Sequence, residues 1–292
     1  MYLQKGERIL KFPKLLFFLA IPLFLSGCIF AGERRIPLSI SNPVIVDHNC
    51  TDLAKIPSDL IDSIKQNIKW YYAHTSHGEQ LIVGLQELER LNSFYDIEIK
   101  RKWLPDKTGA LAILDNPYAG PEDYWKGERG ILQTENIIDS FPINISMWSW
   151  CGQLETYSEK DVQSYLKTLD KLQEAHPDTL FIYMTGNAQK GGRKGYNRWL
   201  RNNQIRRWVK EHPGKHRVLF DFADLDSWWF NPKTKRWEQA TYRYWTGSKF
   251  VSIPIEHPEY HGNERAHTTL ESCRQKGKAV WWMLARLSGW NY

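Results

Sequence analysis

The chain has 292 residues with 39 Lys and Arg against 33 Asp and Glu, a formal net charge of +6, and 14 tryptophans. Charges of both signs are interspersed without a long basic block, so the composition carries no electrostatic footprint for a nucleic-acid partner. The length suits one α/β domain with surface insertions.

In chain order, residues Met1 to Lys14 hold Lys5, Arg8, Lys11 and Lys14 against Glu7, and a largely apolar run follows from Leu15 to Leu25. A basic start before a short apolar stretch is the layout of a signal peptide. The run is about half of the roughly 20 residues that a helix needs to cross a bilayer. It ends in Leu25-Ser26-Gly27-Cys28, which resembles the lipobox of bacterial lipoproteins. The resemblance implies removal of residues 1–27 as a lipoprotein signal peptide and lipidation of Cys28. The mature protein is then expected in the cell envelope, anchored to the lipid bilayer and facing outside the cytoplasm. Ile29, in place of an aspartate, points to the outer membrane where the host has one. Cleavage takes four of the 39 basic and one of the 33 acidic residues, leaving a net charge of +3. Residues 28–43 lack periodicity and read as a lipid-anchored tether, with the domain expected over 44–292.

Val44-Ile45-Val46 opens the domain as a short strand before Asp47-His48-Asn49-Cys50. Pro57 starts a helix with apolar positions Leu60, Ile61, Ile64 and Ile68, the stripe of a half-buried helix. Trp70-Tyr71-Tyr72-Ala73 reads as a buried strand, followed by the polar turn His74-Thr75-Ser76-His77-Gly78 and a helical stripe at Leu81, Ile82, Leu85 and Leu88. The unit recurs with Ile143 to Trp148 before Cys151-Gly152-Gln153 and a helix over Glu159 to Ala175. It recurs again with Leu180 to Met184 before Thr185-Gly186-Asn187 and a helix from about Asn197 to Lys210. Val218-Leu219-Phe220 is a further strand running into Asp221 and Asp224, and Ala279 to Leu287 belongs to a closing helix. Such alternation predicts a mainly parallel sheet covered on both faces. Residues 95–130 and 228–250 break the rhythm and are read as insertions near the mouth of the site.

In an open α/β sheet, ligands bind beyond the carboxyl ends of the strands, and here those ends carry Ser76, Gly152, Asn187 and, before the last helix, Glu264-Arg265-Ala266-His267. Taken in order, these blocks resemble those of the SGNH/GDSL hydrolases, flavodoxin-like esterases and lipases with a three-layer α/β sandwich. The segments around Ser76, Cys151 and Gly186-Asn187 are also similar to a set of exported bacterial proteins related to that family. The resemblance implies Ser76 as nucleophile, His267 as base, Glu264 as the acid that orients it, and Gly152 and Asn187 as oxyanion donors. It departs from the family in His74-Thr75-Ser76 where Gly-Asp-Ser stands, and in Glu-x-x-His where Asp-x-x-His stands. The residue types suit acyl transfer: a hydroxyl needs a base, the base needs a carboxylate to fix its tautomer, and the oxyanion needs preorganised donors. His74, His77 and Gln153 are expected to line the substrate path.

The expectation is therefore a serine esterase working without a cofactor, its substrate a small-molecule or glycan ester such as an acetylated carbohydrate. Two other readings are open. Exposed tryptophans stack on sugars, so the protein can be a glycan- or envelope-binding lipoprotein without turnover. His74, His77, His257, His261 and His267 with Asp47, Asp221 and Asp224 can instead serve a metal-dependent hydrolase, although their spacing matches no zinc motif. Beyond Cys28, the three remaining cysteines suggest one disulfide and one free thiol in an oxidising compartment, with Cys151 and Cys273 the favoured pair. The oligomeric state is not legible in the sequence.

Overall fold

The computed structural model describes residues 43–211 and 217–292; the expected signal peptide, Cys28 and the tether up to residue 42 lie outside the described residues. Seven strands form one all-parallel sheet: β1 (Val44–Val46), β2 (Lys69–His74), β3 (Ile97–Lys100), β4 (Leu111–Pro117), β5 (Ile145–Trp148), β6 (Leu180–Met184) and β7 (Val218–Phe220). Their spatial order is β1-β7-β6-β5-β2-β4-β3. The central strands β4-β2-β5-β6-β7 have the flavodoxin-type doubly wound order, with β3 and β1 added at the edges. β2, β5, β6 and β7 are apolar almost throughout and buried, as strands covered on both faces must be.

Helices α1 (Ser58–Asn67), α2 (Glu79–Leu91), α3 (Gly127–Ser140), α4 (Glu159–Ala175), α5 (Gly192–Lys210), α6 (Phe222–Ser227) and α7 (Leu270–Leu287) complete a three-layer α/β sandwich. α1 and α2 pack on α7, and α4 packs on α5. The α2–α7 crossing depends on two glycines. A Cβ on Gly84 would lie 1.9 Å from the Cys273 carbonyl oxygen, and one on Gly277 would lie 2.5 Å from the Gly84 carbonyl carbon. This close approach fixes the start of α7, and the loop before it, against the start of α2.

Residues 95–130 are not an insertion: they supply β3, β4 and the start of α3. The cause lies in β4, whose run Leu111-Ala112-Ile113-Leu114 is short and hemmed by Gly, Pro and Asp, so its pattern is hidden among turn residues. Residues 228–250 lie outside the main sheet, in the antiparallel hairpins β8 (Trp228–Asn231) with β9 (Arg236–Gln239) and β10 (Thr241–Trp245) with β11 (Phe250–Pro254). From β2 the chain turns toward β4 and β3, then returns to β5 on the other side of β2. The loops leaving β2 and β5 therefore diverge at the topological switch point, where doubly wound sheets open a crevice.

Candidate active site

Both loops at the switch point carry reactive side chains. The turn after β2 is clamped from below: Tyr72 donates its hydroxyl to the Gly78 carbonyl at 2.9 Å. A Cβ on Gly78 would lie 2.4 Å from His74 Cβ and 2.7 Å from Ser149 Cβ. Glycine there lets the β2 turn press against the β5 loop, which brings Ser76 and His77 to Cys151. His77 Nδ1 lies 3.0 Å from Cys151 Sγ, and Ser76 Oγ lies 3.4 Å from the same sulfur. The other ring nitrogen, Nε2, is 2.6 Å from Gln189 Oε1. An amide oxygen only accepts, so Nε2 carries a proton and Nδ1 is the nitrogen left to exchange one with the thiol.

Gln189 is itself held by its amide nitrogen, which donates to Glu256 Oε1 at 3.1 Å and to the His267 carbonyl at 2.9 Å. Glu256 is buried and also accepts from Thr268 Oγ1 at 2.9 Å. Burial, and the negative charge of Asp226 nearby, push the Glu256 carboxyl above the usual range. Asp226 forms a wholly buried ion pair with Lys276 at 2.8 Å and accepts the Ala188 N–H at 2.7 Å. A line of hydrogen bonds thus runs from Cys151 through His77 and Gln189 to Glu256.

Burial alone would push the Cys151 thiol up, but its hydrogen bonds with His77 and Ser76 bring it down to about 6. Burial likewise disfavours a charged His77, yet its contacts with Cys151 and Gln189 outweigh that and leave its pKa above the ordinary value. The two directions agree: thiolate and imidazolium stabilise each other. Burial takes the other two thiols the opposite way, Cys50 up to about 12 and Cys273 to about 11. The three cysteines among the described residues are free, so the expected Cys151–Cys273 disulfide does not form; Cys273 is buried on α7 while Cys151 faces His77.

The residues picked from the sequence are distributed differently from the family pattern. Ser76 Oγ meets the cysteine sulfur rather than an imidazole nitrogen. His267 stands beside His77, ring centroids 5.0 Å apart, and offers its carbonyl to Gln189. Glu264 does not orient His267; its carboxylate accepts the Leu270 N–H at 2.6 Å at the start of α7. Asn187 is not an open oxyanion donor. Its Nδ2 donates to the Cys151 carbonyl at 3.1 Å, and its Oδ1 accepts from Arg198, which is anchored in turn to Glu155 at 2.6 Å. Gln153 Oε1 accepts the Cys151 N–H at 2.7 Å, so this side chain shapes the loop from within. Gly152 starts the short turn Gln153–Glu155. His74 holds its own turn, with Nδ1 2.9 Å from the Thr75 carbonyl and Nε2 2.9 Å from Asp115 Oδ1.

The loop that delivers His267 is strained, with Ala266 at φ 47° and His267 at φ 69°. Left-handed backbone costs a non-glycine residue about 1 kcal/mol or more. Gln80 Nε2, bonded to the Ala266 carbonyl at 2.8 Å, helps to offset that cost. Among the described residues one group has metal-ligand chemistry, Asp47, His48 and Asp224, with one ligand atom from each within 4.8 Å. His48 Nδ1 is engaged there by Asp224 at 2.6 Å, and its ring stacks on Trp228. The other histidines are dispersed, His257 stacking on Trp229 and His261 Nε2 lying 3.2 Å from the Glu256 carbonyl.

The chain matches no known protein family, no curated protein and no solved structure. Sequence reasoning passed over Cys151, His77, Gln189 and Glu256 as acting groups. A signal for the first was present: Cys151 directly follows an apolar strand, the place where doubly wound sheets carry ligands. Gln189 and Glu256 have no such mark, because their partners lie 112 and 67 positions away in the chain.

Proposed function

We propose that this protein is an acyl-transfer hydrolase, an esterase of the envelope, whose nucleophile is the Cys151 thiolate with His77 as its proton partner. The observation that carries the proposal is the 3.0 Å contact between His77 Nδ1 and Cys151 Sγ, with Gln189 fixing the far side of the ring. The thiolate attacks the ester carbonyl, the bond from carbonyl carbon to alkoxy oxygen breaks, and His77 gives its proton to the departing alcohol. Water then attacks the acyl-thioester, His77 takes the water's proton, and the carbon–sulfur bond breaks to release acid and free thiolate. The Cys151 N–H is occupied by Gln153, which leaves the N–H groups of Ser76 and Gly152 to meet the oxyanion. Gln189 and Glu256 act as positioning residues.

A second reading keeps Ser76 as the nucleophile, as the SGNH resemblance implies. It is favoured by the exposure of Ser76 and its place in the wall of the cavity beside the site. Assay of a short-chain aryl acetate and acetylated oligosaccharides with Cys151→Ala and Ser76→Ala separates the two. Loss of at least a hundredfold in kcat/KM in Cys151→Ala, with a smaller loss in Ser76→Ala, supports the thiol. The reverse order moves the nucleophile to Ser76, chelator-sensitive turnover moves the reaction to a metal, and absence of turnover on every ester leaves a binding protein.

The proposed location is the cell envelope, anchored to a membrane through lipidated Cys28 and facing outside the cytoplasm. No helix of the described residues is long and apolar enough to cross a membrane. Labelled palmitate should enter the chain in its bacterial host and fail to enter Cys28→Ala; equal labelling of both would overturn the anchor.

A further inference from the structure

We infer that the groove beside Ser76 takes an anionic glycan, one whose acidic sugar lies against Arg101 and Lys102. The inference deepens the acyl-transfer reading and rests on it only for the bond that is cut. A cavity of about 650 Å³ opens between the start of α2 and the end of β3, with Ser76 in its wall, a size suited to a small ligand. Through Ser76 it comes within one hydrogen bond of the Cys151 sulfur.

Its charge is uneven. Lys100, Arg101 and Lys102 line it against Glu79 and Asp115. Lys100 is engaged by Asp106 at 2.9 Å and Glu98 at 3.2 Å. Asp115 is engaged by His74, with Arg101 Nε only at 4.0 Å from its second oxygen. Lys102 has no acid partner among the described residues. Arg101 and Lys102 are therefore left facing the groove against the single carboxylate of Glu79, and a ligand carboxylate or sulfate can bridge the two cations.

The aromatic groups on the same rim select a sugar rather than a bare anion. Trp103 is 58 % exposed and Tyr118 is 83 % exposed. Tyr118 has φ 69°, a strained conformation for an aromatic residue, and no burial offsets it. Strain held without packing is a mark of function. Tyr118 also separates the first cavity from a second of about 360 Å³, lined by Asn116, Gln133 and Asn136. Amide groups beyond a stacking ring suit the hydroxyls of a neighbouring sugar, so the occupant is a chain that crosses Tyr118 rather than a single unit.

The test is calorimetric titration of the full-length protein in detergent with probes that carry no ester, so that nothing turns over. The probes are an unacetylated oligomer of a uronic acid, a neutral glucan oligomer of the same length, and poly-glutamate. The uronate should bind at least tenfold more tightly than either. R101A/K102A should lose at least tenfold of the uronate affinity, and Tyr118→Ala should weaken both sugars, with unchanged melting temperatures. Equal binding of the two sugars, equal binding of poly-glutamate, or uronate affinity intact in R101A/K102A overturns the inference. Uronate binding by a protein that hydrolyses no ester sinks the acyl-transfer reading and leaves the groove.

Discussion

The ion pair at the site has a direct spectroscopic consequence. With its thiol at about 6, Cys151 is about 90 % thiolate at neutral pH. His77→Ala removes the largest interaction that lowers it and leaves the burial that raises it against the hydrogen bonds of Ser76 and Thr75, so the thiol should rise toward its ordinary 9.0. At 9.0 the thiolate fraction at neutral pH would be about 1 %. A single alkylation rate would understate this. Each thiolate of the variant is about twentyfold more nucleophilic on a Brønsted slope of 0.4–0.5, so the rate at neutral pH changes only about fivefold. The titration midpoint is the decisive quantity. It is read from the ultraviolet absorbance of the thiolate against pH, with Cys151→Ser as the blank that removes Cys28. Cys50 and Cys273, at about 12 and 11, do not enter the window. A wild-type midpoint near 9, or a His77→Ala midpoint still near 6, would refute the argument.

Other outcomes follow from the same geometry. The pH profile of kcat/KM should rise through about 6 as the thiol ionises and fall above the ordinary histidine range as His77 loses its raised proton; a profile still rising through that range would contradict the pair. Glu256→Gln keeps an oxygen for Gln189 and Thr268 and should retain activity within about threefold, whereas Glu256→Ala should lower kcat by tenfold or more with KM little changed; equal behaviour of the two would remove Glu256 from the positioning chain. Asp226→Asn leaves the buried Lys276 without its direct ion partner, with Glu256 the remaining acid nearby, and should cost about 3–5 kcal/mol, seen as a lower urea midpoint; a loss under 1 kcal/mol would mean the pair is not buried in solution. Gly84→Ala forces apart helices whose backbones touch at the Cys273 carbonyl. Overpacking of that kind costs about 1–3 kcal/mol, and a melting temperature unchanged from wild type would refute the contact.

Much of the fold was written locally. The apolar strands Leu180–Met184 and Val218–Phe220, and the helix Glu159–Ala175 with its Ser158 cap, are short-range patterns of hydrophobicity and capping that a linear reading can detect. The same reading places Ser76, Cys151 and Asn187 at strand ends, because strand–loop–helix alternation in a parallel sheet leaves no other side for the loops. It missed β4, whose four apolar residues between turn formers look like an insertion until β2 and β3 are seen on either side of them. Which polar side chains touch was decided only in three dimensions. The sequence shows four cysteines and nine histidines as equals. The switch point sets β5 beside β2, Gly78 allows their loops to meet, and the Gly84–Gly277 contact seats the α7 loop over them. Cys151 is thereby joined to His77 while Glu264 is spent at a helix start. Thiol acidity depends on distance and burial, which fall off within a few ångströms, and spacing along the chain does not encode them.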